Sequence, residues 1–183
     1  MVSTDSHSRP LLLILAGFGL LALPAGAAEG FSLEEAGARA GISSHSSGNR
    51  FLQMEAFTKW DLFRPIYLGN EIQLTFQLDA SAGWLGGRGA EGFVGVLGPS
   101  ARMGKVDFPL SFMGGIAPTM LSTDSYGDKD FGTPFQLTSY LGFEVNVWSH
   151  ATVGYRFQHM SNAGLSSHNP GLNLHMFSLG YSF

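Results

Sequence analysis

Hydrophobic and polar residues alternate with a period of two along much of this chain, and the clearest run covers residues 71–84. Ile72, Leu74, Phe76, Leu78, Ala80, Ala82 and Trp84 fall on one face, while Glu71, Gln73, Thr75, Gln77, Asp79, Ser81 and Gly83 fall on the other. Successive strand side chains point to opposite sides, so the pattern predicts a strand with one apolar and one polar face. A soluble, half-buried sheet gives the same alternation. This run, however, is longer than the usual soluble strand and suits a tilted membrane-crossing one. Residues 135–148 repeat it, with Phe135, Leu137, Ser139, Leu141, Phe143, Val145 and Val147 opposing Gln136, Thr138, Tyr140, Gly142, Glu144 and Asn146. A carboxylate such as Asp79 or Glu144 is acceptable inside a small barrel if it finds a partner, and costly on a lipid face.

Weaker strands follow at 36–45, with Arg39 inside or near a rim, at 51–60, at 91–98 and at 106–116. The fourth and fifth would join around residues 99–104, where proline and glycine concentrate. Residues 121–133 are polar and turn-rich and predict an extracellular loop or a flexible stretch. With two strands closing the chain, the seventh ending near Ser161 and the eighth starting about Leu172, the count is eight. That is the smallest usual number for a membrane barrel, whose bore is then filled by its own side chains.

Composition supports this class. Charged residues make up only 13% of the chain beside 15 phenylalanines and 25 glycines, too few charges for a typical soluble surface. With no cysteine, neither disulfides nor thiolate metal sites hold the fold together. No basic tract stands out, which argues against nucleic acid as a partner. Residues 1–9 are polar with the cation Arg9, residues 11–23 form a short apolar core, and Pro24, Ala25, Gly26 and Ala27 follow. The arrangement predicts a secretory signal peptide over 1–27, cleaved after Ala27, and one barrel domain over 28–183. The expected fold is all-β: an eight-stranded antiparallel transmembrane β-barrel in the bacterial outer membrane.

The closing stretch carries the candidate chemistry. Val153, Tyr155, Phe157, His159 and Ser161 share one strand face, and Asn173, His175, Phe177, Leu179, Tyr181 and Phe183 share another. The turn formers between them predict a hairpin that returns Asn173 to His159 and Ser161. Phe183 resembles the terminal strand signal of outer-membrane barrels, which implies periplasmic termini. The three polar residues then sit near the outer rim, facing lipopolysaccharide. His159 is placed to take the Ser161 proton, and Asn173 to orient the imidazole without supplying charge. The Asn162 amide and the backbone N–H groups of Ala163 and Gly164 are candidate oxyanion donors. A non-catalytic barrel serving adhesion or membrane integrity accounts for the same strands, since histidine and tyrosine also occur in interfacial belts. His175 reads as an interfacial neighbour; His45 and His168 have no evident partner, and no histidine spacing singles out a metal site.

The run His159-Met160-Ser161-Asn162-Ala163-Gly164-Leu165, with Asn169, Gly171 and a closing strand, resembles the lipid A 3-O-deacylase (PagL) family. The resemblance implies a serine esterase, without metal or cofactor, that hydrolyses the 3-linked acyl chain of lipid A in the outer leaflet. It implies His159 as base and Ser161 as nucleophile, with Asn162 contributing to the oxyanion site; Gly164 and Asn169 are further candidates for supporting the site. One departure stands out: Asn173 occupies the place of the family's glutamate. A lipid A acyltransferase is a second enzymatic reading. The sequence is compatible with a homodimer but does not call for one.

Overall fold

The computed structural model describes residues 30–44, 50–69 and 71–183. The expected signal segment at 1–27 and His45 lie outside the described residues. Among the described residues, eight long strands follow one another: β1 (Ser32–Ser43), β2 (Phe51–Asp61), β3 (Ile72–Gly87), β4 (Ala90–Lys105), β5 (Leu110–Leu121), β6 (Phe135–Trp148), β7 (Ala151–Ser161) and β8 (Leu172–Ser182). Each pairs antiparallel with its chain neighbour, and β1 pairs with β8 from Glu35↔Ser182 to Ser43↔Leu174, so the sheet closes. Closure leaves no free edge, which a sheet in hydrocarbon requires. A short strand, Ile66–Leu68, adds to the start of β3. Ser125–Tyr126 and Lys129–Asp130 form a small hairpin in the β5–β6 connection.

The face assignments of 71–84 and 135–148 hold in three dimensions. Thr75, Gln77, Asp79, Gln136, Thr138 and Glu144 are buried inside, whereas Phe76, Leu141 and Phe143 are exposed outside. Phe93, Leu97, Phe112, Ile116, Phe177 and Leu179 extend this apolar exterior around the barrel. An exterior of this kind is stable against lipid and unfavourable in water.

The expected joint at 99–104 is instead continuous strand, since β4 runs on to Lys105. Pro99 and Pro118 both point outward, and the β4–β5 ladder skips from Val96↔Thr119 to Ser100↔Gly115 where they sit. Proline donates no hydrogen bond, so it is tolerated where the ladder is already interrupted. At the same place, a Cβ on Gly98 would stand 2.5 Å from the Ala117 Cβ, so glycine is what lets β4 and β5 approach. Turn-forming residues here build a local irregularity rather than a turn. Smaller shifts affect β1, which ends at Ser43, and β5, which occupies 110–121 rather than 106–116.

Two layers fill the bore. One is ionic. Arg39 Nη2 lies 2.9 Å from Asp79 Oδ1, Arg156 Nη2 lies 3.0 Å from Glu55 Oε1, and the Tyr140 hydroxyl donates to Asp79 Oδ2 at 3.0 Å. Arg39 also pairs with Glu55, and Lys59 bridges Glu35 and Glu144. The buried carboxylates Glu35, Glu55, Asp79 and Glu144 thus each meet a cation, as a charge removed from water demands. The second layer, at the outer end, is apolar: Phe51, Leu85, Val94, Met160, Leu172, Leu174 and Met176, capped by Tyr126 and Phe131. Those two aromatics come from the β5–β6 connection, which folds back into the barrel mouth. Tyr126 packs edge-on against Phe131 at 5.7 Å and against Phe51 at 5.9 Å.

Candidate active site

Strand parity places His159 and Ser161 on the outer face of β7, and the β7–β8 register sets His159 directly opposite Asn173. Directly opposed side chains on one face of an antiparallel pair are close enough to touch. Here they bond: His159 Nδ1 lies 2.6 Å from Asn173 Oδ1. An amide oxygen can only accept, so Nδ1 carries the hydrogen and Nε2 is left with a lone pair. Ser161 follows two residues on, half-buried at the end of β7. The outward faces of β7 and β8 therefore hold an oriented base beside a hydroxyl, the two groups that nucleophilic catalysis by serine needs.

The connection between β7 and β8 is built around Asn162, which is completely buried. Its amide donates to the carbonyls of Phe131 at 2.9 Å and His168 at 2.8 Å, and its Oδ1 accepts from the Gly164 N–H at 3.0 Å. Its own N–H donates to Asn169 Oδ1 at 3.1 Å. Of the oxyanion donors expected from the sequence, the Asn162 amide and the Gly164 N–H are thus engaged within the loop. The Ala163 N–H makes no such bond among the described residues. Ala163 (φ 53°) and Gly164 (φ 84°) form a left-handed pair just beyond Ser161. Asn169 acts on the Asn162 backbone and not on His159, which Asn173 holds.

Gly171 closes the loop against the imidazole. Its φ is +59°, and a Cβ there would approach His159 Cε1 to 3.1 Å. Glycine satisfies both the left-handed backbone and the close approach to the ring. His175, one pair further along, accepts or donates at 2.8 Å with the Tyr155 hydroxyl and packs edge-on against Phe157, in an aromatic belt. Among the described residues no group of three or more His, Asp or Glu converges as a metal-binding set.

A cavity of about 200 Å³ opens beside the imidazole, lined by Ser43, Arg88, Lys129, His159, Gly171 and Asn173 among others. Arg88 and Lys129 are absent from the sequence reading of the site. Both lie in turn-rich segments, Lys129 between two aspartates, and only the closing of the barrel brings them to β7 and β8. A larger cavity, about 400 Å³, lies at the opposite end near Arg102, Lys105 and Asn146, away from this chemistry.

The lipid A 3-O-deacylase (PagL) family matches residues 51–182. The lipid A deacylase PagL of Bordetella bronchiseptica is 35% identical over 69 residues, which are 38% of this chain and 39% of that protein. The match thus spans about two-fifths of the relative's length. The crystal structure of the outer membrane enzyme PagL superimposes with a TM-score of 0.67 at 22% identity, covering 81% of this chain and 98% of that one. That likeness establishes the shared barrel, and the family match runs from β2 through the whole β7–β8 hairpin with His159, Ser161 and Asn173. This chain belongs to the lipid A 3-O-deacylase (PagL) family.

Proposed function

We propose that this protein is an outer-membrane serine esterase that removes the 3-linked acyl chain from lipid A in the outer leaflet. The observation that carries the proposal is the His159–Asn173 bond on the outward face of the barrel wall, with Ser161 beside it. A polar pair at the top of an apolar exterior is unfavourable for packing alone, and it faces the place where the ester bonds of a membrane lipid lie.

The steps follow from the groups present. Ser161 Oγ attacks the ester carbonyl carbon as its proton passes to His159 Nε2. The carbonyl oxygen takes the negative charge, with the Ala163 N–H as the donor left for it at the β7 terminus. Collapse breaks the bond to the sugar oxygen, which leaves with the proton from Nε2, and the acyl chain stays on Ser161. Water then attacks the acyl-enzyme with the same histidine as base, releasing a free fatty acid and restoring Ser161. Asn173 keeps Nδ1 protonated throughout but brings no charge to the imidazolium. All these residues come from one chain, so a homodimer adds nothing to the site.

His159→Asn tests the reading. Lipid A from cells carrying the variant should keep its 3-linked chain, while the parent protein yields lipid A lighter by one acyl group and an equal amount of free fatty acid. Continued deacylation by a well-folded His159→Asn barrel would sink the mechanism. An acyltransferase would be revealed by the chain appearing on another lipid instead of as free acid.

A further inference from the structure

Arg88 and Lys129 stand over the same cavity as His159, and the His159–Ser161 chemistry does not use them. Arg88 occupies the first place of a two-residue β3–β4 turn, with φ 57° followed by Gly89 at φ 78°. Successive left-handed residues of this kind make a tight type I′ hairpin, which fixes where the side chain starts. Lys129 comes from the small hairpin of the β5–β6 connection. Its ammonium donates to the Gly171 carbonyl at 2.6 Å and lies 5.2 Å and 5.6 Å from the ring centres of Phe131 and Phe51. Both cations are therefore held by the fold rather than trailing in solvent.

Their charge is poorly balanced. Arg88 pairs with Asp128, whose side chain is 72% exposed, and exposed pairs of this sort contribute little. The Arg88 Nε is buried and finds no hydrogen-bond partner among the described residues. Lys129 has no carboxylate partner among the described residues. Burial, and then the charge of Arg88, hold its ammonium below the usual lysine range. Two positive groups converge on one cavity, one paired only with an exposed carboxylate and the other with none among the described residues. A guanidinium fork and a point-charge ammonium are the combination that suits a phosphate monoester.

We propose that Arg88 and Lys129 form an anion site that grips a phosphate on the sugar headgroup of the lipid and so places the ester bond over Ser161. The site rests on the deacylase reading above and gives it a headgroup requirement. Arg88 and Lys129 lie on connections at the outer end, at the level where headgroups rather than acyl chains would be met. Lys129 holds the Gly171 carbonyl, and a Cβ at Gly171 would meet the His159 ring, so the anion site adjoins the base.

The test compares phosphorylated lipid A with the same lipid after its phosphates have been removed, in detergent micelles. Arg88→Gln and Lys129→Gln should each raise KM for the phosphorylated lipid by about tenfold, the loss of one charged hydrogen bond, with kcat little changed. Toward the dephosphorylated lipid, the parent protein should already show the weaker KM, and the variants should match it. An equal loss on both lipids would overturn the proposal and make the two residues supports of the loop. Inorganic phosphate binding at Arg88 and Lys129 as tightly as the lipid does would also overturn it, in favour of a free anion. Calorimetric binding of the two lipids reads the site without turnover. Phosphate-dependent binding by a parent protein that releases no fatty acid would keep the anion site and remove only the esterase reading.

Discussion

The two faces of β7 carry polar residues on opposite terms. Inward, Arg156 bonds Glu55, Asp79 and Gln158, in a layer where each charge has partners and water is excluded. Outward, His159 bonds only Asn173 among the described residues, beside an open cavity, with exposed Phe157 below it. One strand thus shows both uses of polarity in a barrel wall. Inside, opposite charges are matched against one another, even where single atoms such as Arg156 Nε are left without a partner. Outside, the His159–Asn173 pair is left incompletely compensated, as the proposed reaction requires.

The sharpest way to break this comparison is to remove one group from each face. Ser161→Ala should lower deacylation by about six orders of magnitude, as loss of a serine nucleophile does elsewhere, with the unfolding midpoint unchanged. Residual turnover near the parent rate, measured as free fatty acid released, would mean that the outer face is not the site. Arg156→Met should do the reverse. Removing one partner of a buried ionic set costs about 3–5 kcal/mol, because Glu55 and Asp79 would then share Arg39. Denaturant unfolding in detergent reads this loss, while the deacylation rate of the folded fraction should hold.

A third substitution sharpens the difference between the faces on another strand. Arginine at Phe76, exposed at mid-β3, should destabilise by about 2–4 kcal/mol in lipid, the penalty for charge near a bilayer midplane. Equal tolerance at Phe76 and at the exposed loop residue Ser167 would argue against a lipid-facing exterior. The smallest expected effect is at Asn173. Asn173→Ala should slow deacylation by about tenfold, through loss of one hydrogen bond to the imidazole, and leave stability nearly unchanged. Asn173→Glu should equal or exceed the parent rate, because a carboxylate supports the imidazolium as an amide cannot. Identical rates for alanine, asparagine and glutamate would show that the 2.6 Å contact has no part in turnover.

What could be read from the sequence follows from how local each feature is. Parity is a property of neighbouring residues, so residues 71–84 and 135–148 reveal their inner and outer faces directly. The His159–Asn173 pairing was legible for the same reason, since the hairpin register and side-chain alternation together fix it. Pro99 was misleading because proline signals a turn in isolation, and only the skipped ladder beside Pro118 explains its place inside β4. Tyr126 and Phe131 lie in a polar segment, and nothing nearby announces that they plug the barrel mouth. The role of Asn162 was equally hidden. Its amide binds the Phe131 carbonyl across 31 positions of sequence, a contact that exists only once two connections have folded over the same rim.

The filled bore has a kinetic consequence. With an ionic layer and an aromatic cap across its interior, the barrel offers no route along its axis, so on the proposed function the lipid arrives and departs sideways within its own leaflet. Encounter then becomes a two-dimensional problem. The controlling variable is the mole fraction of lipid A in the surface rather than its bulk concentration. Diluting that surface with an inert amphiphile, at constant protein and constant total lipid A, should slow turnover as a falling substrate concentration slows a soluble enzyme.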